Sequence, residues 1–456
     1  MDIVLIESGA RDWQIFQQRD GKADITLTGR VVRADGVGPF RVYARVVREN
    51  SFTAVTPWIL AEMSGEEYTV LLKDVPAGGL YTIETTLAGE LHEAEWGLKG
   101  DMVCHVGVGD LYVIAGQSNA AGYGKTPVED APELGVHLFR NSETWDLASH
   151  PMNNSTRTAH PINAEFGNSG HSPYLAFAKT VKKEAGYPVG LIQTSLGGST
   201  ISQWKPGVGN NLYDNMLQVI RKCGGRVRGI LWYQGCSDTS AEDCVVYKDR
   251  FSELVGAMRR DLDDPALPIL TVQINRHMQE CLGDSFDSPW GIVREAQRRA
   301  AADIPGVYIV PTVDLTMSDA VHNNASSNMV IGERLAWCAL EHLYGRPYIG
   351  TAPDIASAAL TGEQTVEVRF SHVSSNLVVY TDGRWVPDFI CKDDAGWNRV
   401  TACAGAADRL TLTLERPAQG KCLLSFASCQ APSPVAPFDR SSGIPILSFH
   451  DFPVEG

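Results

Sequence analysis

The sequence predicts an α/β protein: a doubly wound parallel sheet flanked by N- and C-terminal β-sandwich-like modules. Three observations carry that prediction. Between residues 108 and 350, apolar runs of strand length alternate with helical patterns, the mark of βαβ units with helices on both faces of a sheet. Before and after that stretch, short segments alternate apolar and polar between Gly-, Pro- and Asp-containing turns, as antiparallel strands do. A chain of 456 residues, 44% of them hydrophobic, is long enough for two or three domains with cores of their own.

Residues 1–107 are expected to form the N-terminal sandwich. Its strands read ADITLTGRVV, FRVYARVV, YTVLLKDV and YTIETTLAG, with a turn at Asp74–Gly79. Catalytic residue types do not gather here. Trp13, Trp58 and Trp96 are expected in its core rather than as a sugar platform.

In residues 108–350 the strand runs are LYVIAG, VGLIQTS, GILWYQG, PILTVQIN and VYIVPTVD. Helices are expected at SPYLAFAKTVKKEAG, AEDCVVYKDRFSELVGAMRRDL, GIVREAQRRAAAD and NMVIGERLAWCALEHLYG. In the first of these, Ser172 is placed to cap, Pro173 to fill the first turn and Gly186 to end the helix.

Past the Gly345-Arg346-Pro347 break, residues 351–456 return to alternation at TVEVRF, LVVYTD, RLTLTLER and KCLLSFAS. Leu410, Leu412 and Leu414 share one face and the threonines between them the other. This module is expected to buttress the central domain, with the Pro- and aromatic-rich tail running extended over the surface.

The net charge of −15, with no basic footprint, disfavours nucleic acid and anionic membrane as partners. No apolar run approaches a membrane span. The start, MDIVLIESGARDW, lacks the basic n-region and long h-region of a signal peptide, so a cytoplasmic protein is expected. The ten cysteines form no C-x-x-C pair and no zinc-ligand spacing. They are expected as free thiols and small buried hydrophobes, with no metal site.

The richest segment for chemistry is LYVIAGQSNAAGYG, residues 111–124. A buried strand there ends at Gly116, which allows a sharp exit. That sets Ser118 at the carboxyl edge of the sheet, where α/β proteins bind ligands. Ser118 is either a helix N-cap or a nucleophile beside N–H groups that stabilise an oxyanion. A nucleophilic serine needs a base and the base an orienting group. His322 in SDAVHNN, three residues after Asp319 and just past the strand VYIVPTVD, suits both roles; the alternative is an Asx-type surface turn. Gly197-Gly198, after VGLIQTS, and Gln234, after GILWYQ, are candidate oxyanion donors. A tight turn and a buried bridging amide are the alternatives.

GQSN, GG(S/T), WxQG and DxxH in this order resemble the SGNH (GDSL-type) hydrolases. The similarity is to the branch of sialate O-acetylesterases and related carbohydrate acetylesterases. GNSGHSPYLAFAK, WGIVREAQ and DRSSGIP look like that branch too. The resemblance implies a flavodoxin-like SGNH sheet, Ser118 as nucleophile, His322 as base and Asp319 as its partner. It implies an oxyanion hole of the Ser118 and Gly198 (or Gly197) N–H groups and the Gln234 side chain. Three positions depart from the family pattern. Cys236 stands where QGE has Glu, Ala120 where GQSNM has Met, and Asn323 where DxxHP has Pro.

Substrate-contact candidates are Asn119, Trp204, Tyr233, Trp290, His171 and His277, with Trp232 and Asn168 secondary. The polar loop 145–171 is expected to shape a cleft. The expected function is a serine esterase that takes O-acetyl groups from a sugar such as sialic acid, xylose or mannose. It would use no cofactor; its partner is an acetylated mono- or oligosaccharide, and a homo-oligomer is compatible with the sequence. A general short-chain carboxylesterase and a non-catalytic carbohydrate-binding protein are the alternatives.

Overall fold

The computed structural model describes residues 3–32, 39–165, 167, 170–278, 286–381 and 385–456. At the N-terminus, one sheet runs in the order Ile3–Ser8, Lys22–Val32, Glu67–Pro76, Glu62–Ser64. A second, built on Phe40–Arg48 and Gly78–Gly89, faces it across a core that includes Leu27, Val46, Leu72, Ile83 and Val106. The alternating sequence thus makes a sandwich, as expected. Trp96 does not join its core: it is 81% exposed, on a short turn between strands.

No break in secondary structure falls at residue 107. Strand β1 (Leu98–Gly116) runs through it. Its first half pairs antiparallel with Gly78–Gly89 and its second half lies in the central sheet. Sandwich and central domain therefore share one 11-stranded sheet.

The central sheet continues with β2 (Val136–Phe139), β3 (Trp145–Leu147), β4 (Val189–Gln193), β5 (Gly229–Tyr233), β6 (Ile269–Val272) and β7 (Val307–Val310), in the order β3-β2-β4-β1-β5-β6-β7. All pairs are parallel except β3 with β2. The five predicted strands are present. β2 escaped prediction because it is short and carries a buried histidine, His137, among its apolar residues.

The helices are α1 (Ser118–Ala121), α2 (Tyr174–Ala185), α3 (Leu212–Lys222), α4 (Ala241–Cys244), α5 (Tyr247–Asp261), α6 (Pro289–Asp303) and α7 (Ala325–His342). They cover both faces of the sheet. In the register that pairs β5 with β1, Tyr112 and Trp232 point to opposite sides. Tyr112 meets Phe177 of α2 edge-on at 4.9 Å, and Trp232 meets Phe251 of α5 at 5.9 Å. Gly186 ends α2 in the left-handed region at φ +80°, as expected. Ser172 does not cap α2; its hydroxyl is buried with no partner among the described residues. The run 241–262 is broken between α4 and α5, with Ser240 capping α4.

The C-terminal module is a 7-stranded sheet. Leu410, Leu412 and Leu414 are buried and the threonines between them exposed. Two expectations fail here. The tail is not a surface segment: Phe449–Val454 pairs with Cys422–Phe426, burying Phe449. Nor are all thiols free, since Cys391 and Cys422 form a disulfide. Cys391 lies opposite Leu424 on the neighbouring strand, so Cys422 is its diagonal neighbour on the same face, a proximity that a sequence separation of 31 conceals. Among the described residues no helix is long and apolar enough to cross a membrane.

One side chain anchors this module to the central sheet. Arg294 of α6 is 1% exposed. It donates to the carbonyls of Ile274 (3.0 Å) and Asn275 (2.8 Å) beyond β6, and to those of Ala427 (2.9 Å) and Cys429 (2.8 Å) in the module. Gln273 adds a reciprocal pair with the backbone of Ser448, at 2.9 Å in both directions.

Candidate active site

The carboxyl ends of β1, β4, β5, β6 and β7 deliver Ser118, Gly197-Gly198, Gln234, Asn275 and His322 to one edge of the sheet, as βα topology requires. Gly116 makes the first exit possible. Its φ is +129°, and a Cβ there would sit 2.2 Å from the Tyr233 carbonyl oxygen. Ser118 then opens α1 and is 7% exposed. Its Oγ has no hydrogen-bond partner among the described residues. Its backbone N–H, in the first turn of α1, likewise has no acceptor there.

His322 is held on three sides. Nδ1 lies 2.8 Å from Asp319 Oδ2, while Asp319 Oδ1 accepts the N–H groups of Val321 (2.9 Å) and His322 (2.8 Å). Partial burial opposes the charge on Asp319, but these hydrogen bonds hold its carboxyl below the usual range. The pair is therefore at once an Asx-type turn and a carboxylate–imidazole contact that orients the ring. With Nδ1 donating to the carboxylate, Nε2 is the basic nitrogen. The Tyr123 ring stacks on the imidazole at 4.8 Å and 26°.

The bond that unites the two loops comes from residues the sequence reading gave lesser roles. Asn119 Nδ2 donates to the Val321 carbonyl (3.1 Å), and Asn119 Oδ1 accepts the N–H of Asn323 (3.1 Å). Asn323 Nδ2 donates to Tyr233 OH (2.8 Å) and its Oδ1 accepts from Asn275 Nδ2 (2.8 Å). Asn323, read only as a departure from DxxHP, is thus a hub for the loops after β1, β5, β6 and β7. The signal was its position: proline there has no N–H to give.

Of the expected oxyanion donors, Gly198 N–H is free among the described residues, at φ +69° with open space beside its Cα. Gly197 N–H is not, being bonded to Glu165 Oε1 at 2.5 Å. Gln234 is fully buried, and its amide donates to the Ser199 carbonyl (3.0 Å) and to Asp238. The expectation that it donates to an oxyanion is corrected: both amide hydrogens are engaged, and the facing carboxylate fixes which way the amide lies. Burial pushes the Cys236 thiol up to about 12, which disfavours its thiolate.

The expected sugar contacts at Asn119, Trp204, Tyr233, Trp290 and His171 are corrected too, since all five are buried. Trp204 is buried, with Nε1 on Ser199 Oγ (3.2 Å) and its ring edge-on to Trp232 at 5.2 Å. Tyr233, Asn119 and Trp290 are buried, and Trp290 stacks on His277 at 5.5 Å. His277 bonds Gln430 of the C-terminal module at 2.8 Å. His171 and His150 each place Nε2 3.0 Å from Asp130 Oδ2, while Lys179 bonds the other oxygen. Burial opposes the charge on Asp130, yet these bonds hold its carboxyl far below the usual range. The lysine already neutralises it, so the cluster reads as a structural staple of the loop. Aromatic residues near a sheet edge are mostly core, because helices pack over both faces. Asn168 lies outside the described residues.

The family model described as carbohydrate esterase, sialic acid-specific acetylesterase matches residues 108–341, just over half of the chain. A protein of Arabidopsis thaliana named "Probable carbohydrate esterase" is 29% identical over 255 residues, which cover 51% of this chain and 90% of that relative. The crystal structure of a carbohydrate acetylesterase from Xanthomonas citri superposes with a TM-score of 0.69 at 20% identity, covering 98% of this chain and 99% of that one. At that identity the likeness is one of fold, and it extends over both flanking modules.

Proposed function

Because the chain belongs to the carbohydrate esterases of the sialic acid-specific acetylesterase family, we propose that it is an SGNH-type serine esterase removing O-acetyl groups from a sugar through an acetyl-enzyme on Ser118. The observation that carries this reading is the bracketing of His322. Asn119, next to Ser118, bonds Val321 and Asn323 on either side of the base, while Asp319 holds Nδ1.

His322 Nε2 takes the Ser118 proton as Oγ attacks the acetyl carbonyl carbon. The negative charge that develops on the carbonyl oxygen is met by the N–H groups of Ser118 and Gly198. The intermediate collapses, the C–O bond to the sugar breaks, and the leaving oxygen takes the proton from His322. A water that gives its proton to His322 then attacks the acetyl-enzyme, acetate leaves, and Oγ recovers the proton. An O-acetylated sialic acid, xylose or mannose unit is the proposed substrate class.

Ser118→Ala should abolish release of acetate from an O-acetylated sugar and from a chromogenic acetate, with unfolding behaviour like that of the parent. Turnover by folded Ser118→Ala would remove Ser118 from the mechanism.

A further inference from the structure

Glu165 lies in the polar loop 145–171 and was assigned no role by its sequence context, yet its carboxylate touches both halves of the site. Oε1 accepts the Gly197 N–H (2.5 Å) and Asn153 Nδ2 (3.2 Å), and Oε2 accepts the Tyr123 hydroxyl (2.8 Å). Asn153 is itself buried and donates to the Ser195 carbonyl (3.1 Å) at the end of β4. Tyr123 carries the link onward, because its ring stacks on His322. Fit at this point is close: a Cβ on Gly197 would meet Glu165 Oε2 at 2.8 Å and the Tyr123 hydroxyl at 3.2 Å.

We propose that Glu165 is a positioning residue for acetyl transfer: it sets the Gly197-Gly198 turn and, through Tyr123, the tilt of the His322 ring. The proposal rests on the roles given above to Ser118 and His322. By capturing the Gly197 N–H, Glu165 fixes the peptide before the turn and leaves the Gly198 N–H as the one without an acceptor among the described residues. By holding the phenol, it keeps a flat surface against one face of the imidazole. Asp319 fixes the ring at Nδ1 but not its rotation about that bond, which the stacked ring limits. A carboxylate suits three donors because it only accepts. Glutamine would turn an NH₂ toward at least one of them.

The test compares Tyr123→Phe, Glu165→Gln, the double variant and Ser118→Ala on a chromogenic acetate, with thermal unfolding of each. Each single change at Tyr123 or Glu165 should lower kcat about 10- to 100-fold, as misplacement of reacting groups does, with KM within about twofold. The double variant should lose no more than Glu165→Gln alone, because the two residues act through one contact. Parental kcat in Glu165→Gln, a loss confined to KM, or additive losses would each overturn the proposal. Activity in Ser118→Ala would instead overturn the reading on which it rests. An inactive Ser118→Ala beside an unimpaired Glu165→Gln overturns only the role of Glu165.

Discussion

Asn119 Oδ1 accepts both the backbone N–H (3.1 Å) and the side-chain amide (3.2 Å) of Asn323, joining the residues that directly follow Ser118 and His322 across 204 positions of sequence. The backbone donor settles the orientation of the Asn119 amide, since only oxygen can accept there. Both side chains are buried, so the contact is not diluted by water.

Asn323→Ala should therefore damage stability and chemistry together. It takes one donor from the buried Tyr233 hydroxyl and leaves Asn275 Nδ2 only the Leu315 carbonyl at 3.4 Å, at a cost of about 1–3 kcal/mol. It also loosens one flank of His322, which should lower kcat about tenfold or more. Urea unfolding and steady-state kinetics read the two effects; an unchanged kcat would show that His322 does not depend on this clamp.

Gln234→Leu separates two roles. A lost oxyanion donor costs about 100- to 1,000-fold in kcat, with little effect on folding. The hydrogen bonds to Ser199 and Asp238 predict the reverse: a loss of about 1–3 kcal/mol of stability from the stranded partners and a far smaller fall in kcat. A kcat loss in the oxyanion range with parental stability would reinstate Gln234 as a donor.

Arg294→Met should weaken the junction with the C-terminal module. The guanidinium satisfies carbonyls on both sides of it, and methionine of similar length leaves them buried without a donor. A loss of about 3–5 kcal/mol is expected. Limited proteolysis near residues 427–430 should accelerate, and parental resistance would count against the anchor.

His137 predicts a pH dependence. It is buried on β2 with Nδ1 on the Trp13 carbonyl (2.7 Å) and Nε2 unpartnered among the described residues. Burial lowers it from 6.5 to about 4. Between those values the unfolded chain binds the extra proton and the folded one does not. The contribution is therefore complete above pH 6.5 and lost as pH falls toward 4, by roughly 3 kcal/mol in all. Non-titrating His137→Gln should show a flatter stability curve across that window; equal slopes would refute the assignment.

Most strand and helix placement in the central domain was readable because periodicity is local: five apolar runs with helices between them allow few arrangements, although the helix α3 (Leu212–Lys222) was not among those expected. β2 was missed for the same reason, being four residues long and carrying no period of its own. The Asp319–His322 contact was readable from a three-residue spacing. The misreadings share a different cause. Trp204, Tyr233 and Trp290 have the composition of a sugar platform, and only their burial, Trp204 against Trp232, Tyr233 against Asn323 and Trp290 against His277, makes them core.

From its motifs in chain order, the sequence alone located Ser118 after the first of the predicted parallel strands and Asp319 and His322 after the last, because strand ends and turn spacing are properties of neighbouring residues. Which N–H groups at the sheet edge remain without an acceptor among the described residues, and what ties the His322 loop to the Ser118 loop, depended on the tertiary structure. Glu165 takes Gly197, Asp238 takes Gln234 and Asn119 takes Asn323. Each of these choices is made by the partner that packing brings within hydrogen-bond reach, not by the residue's own type.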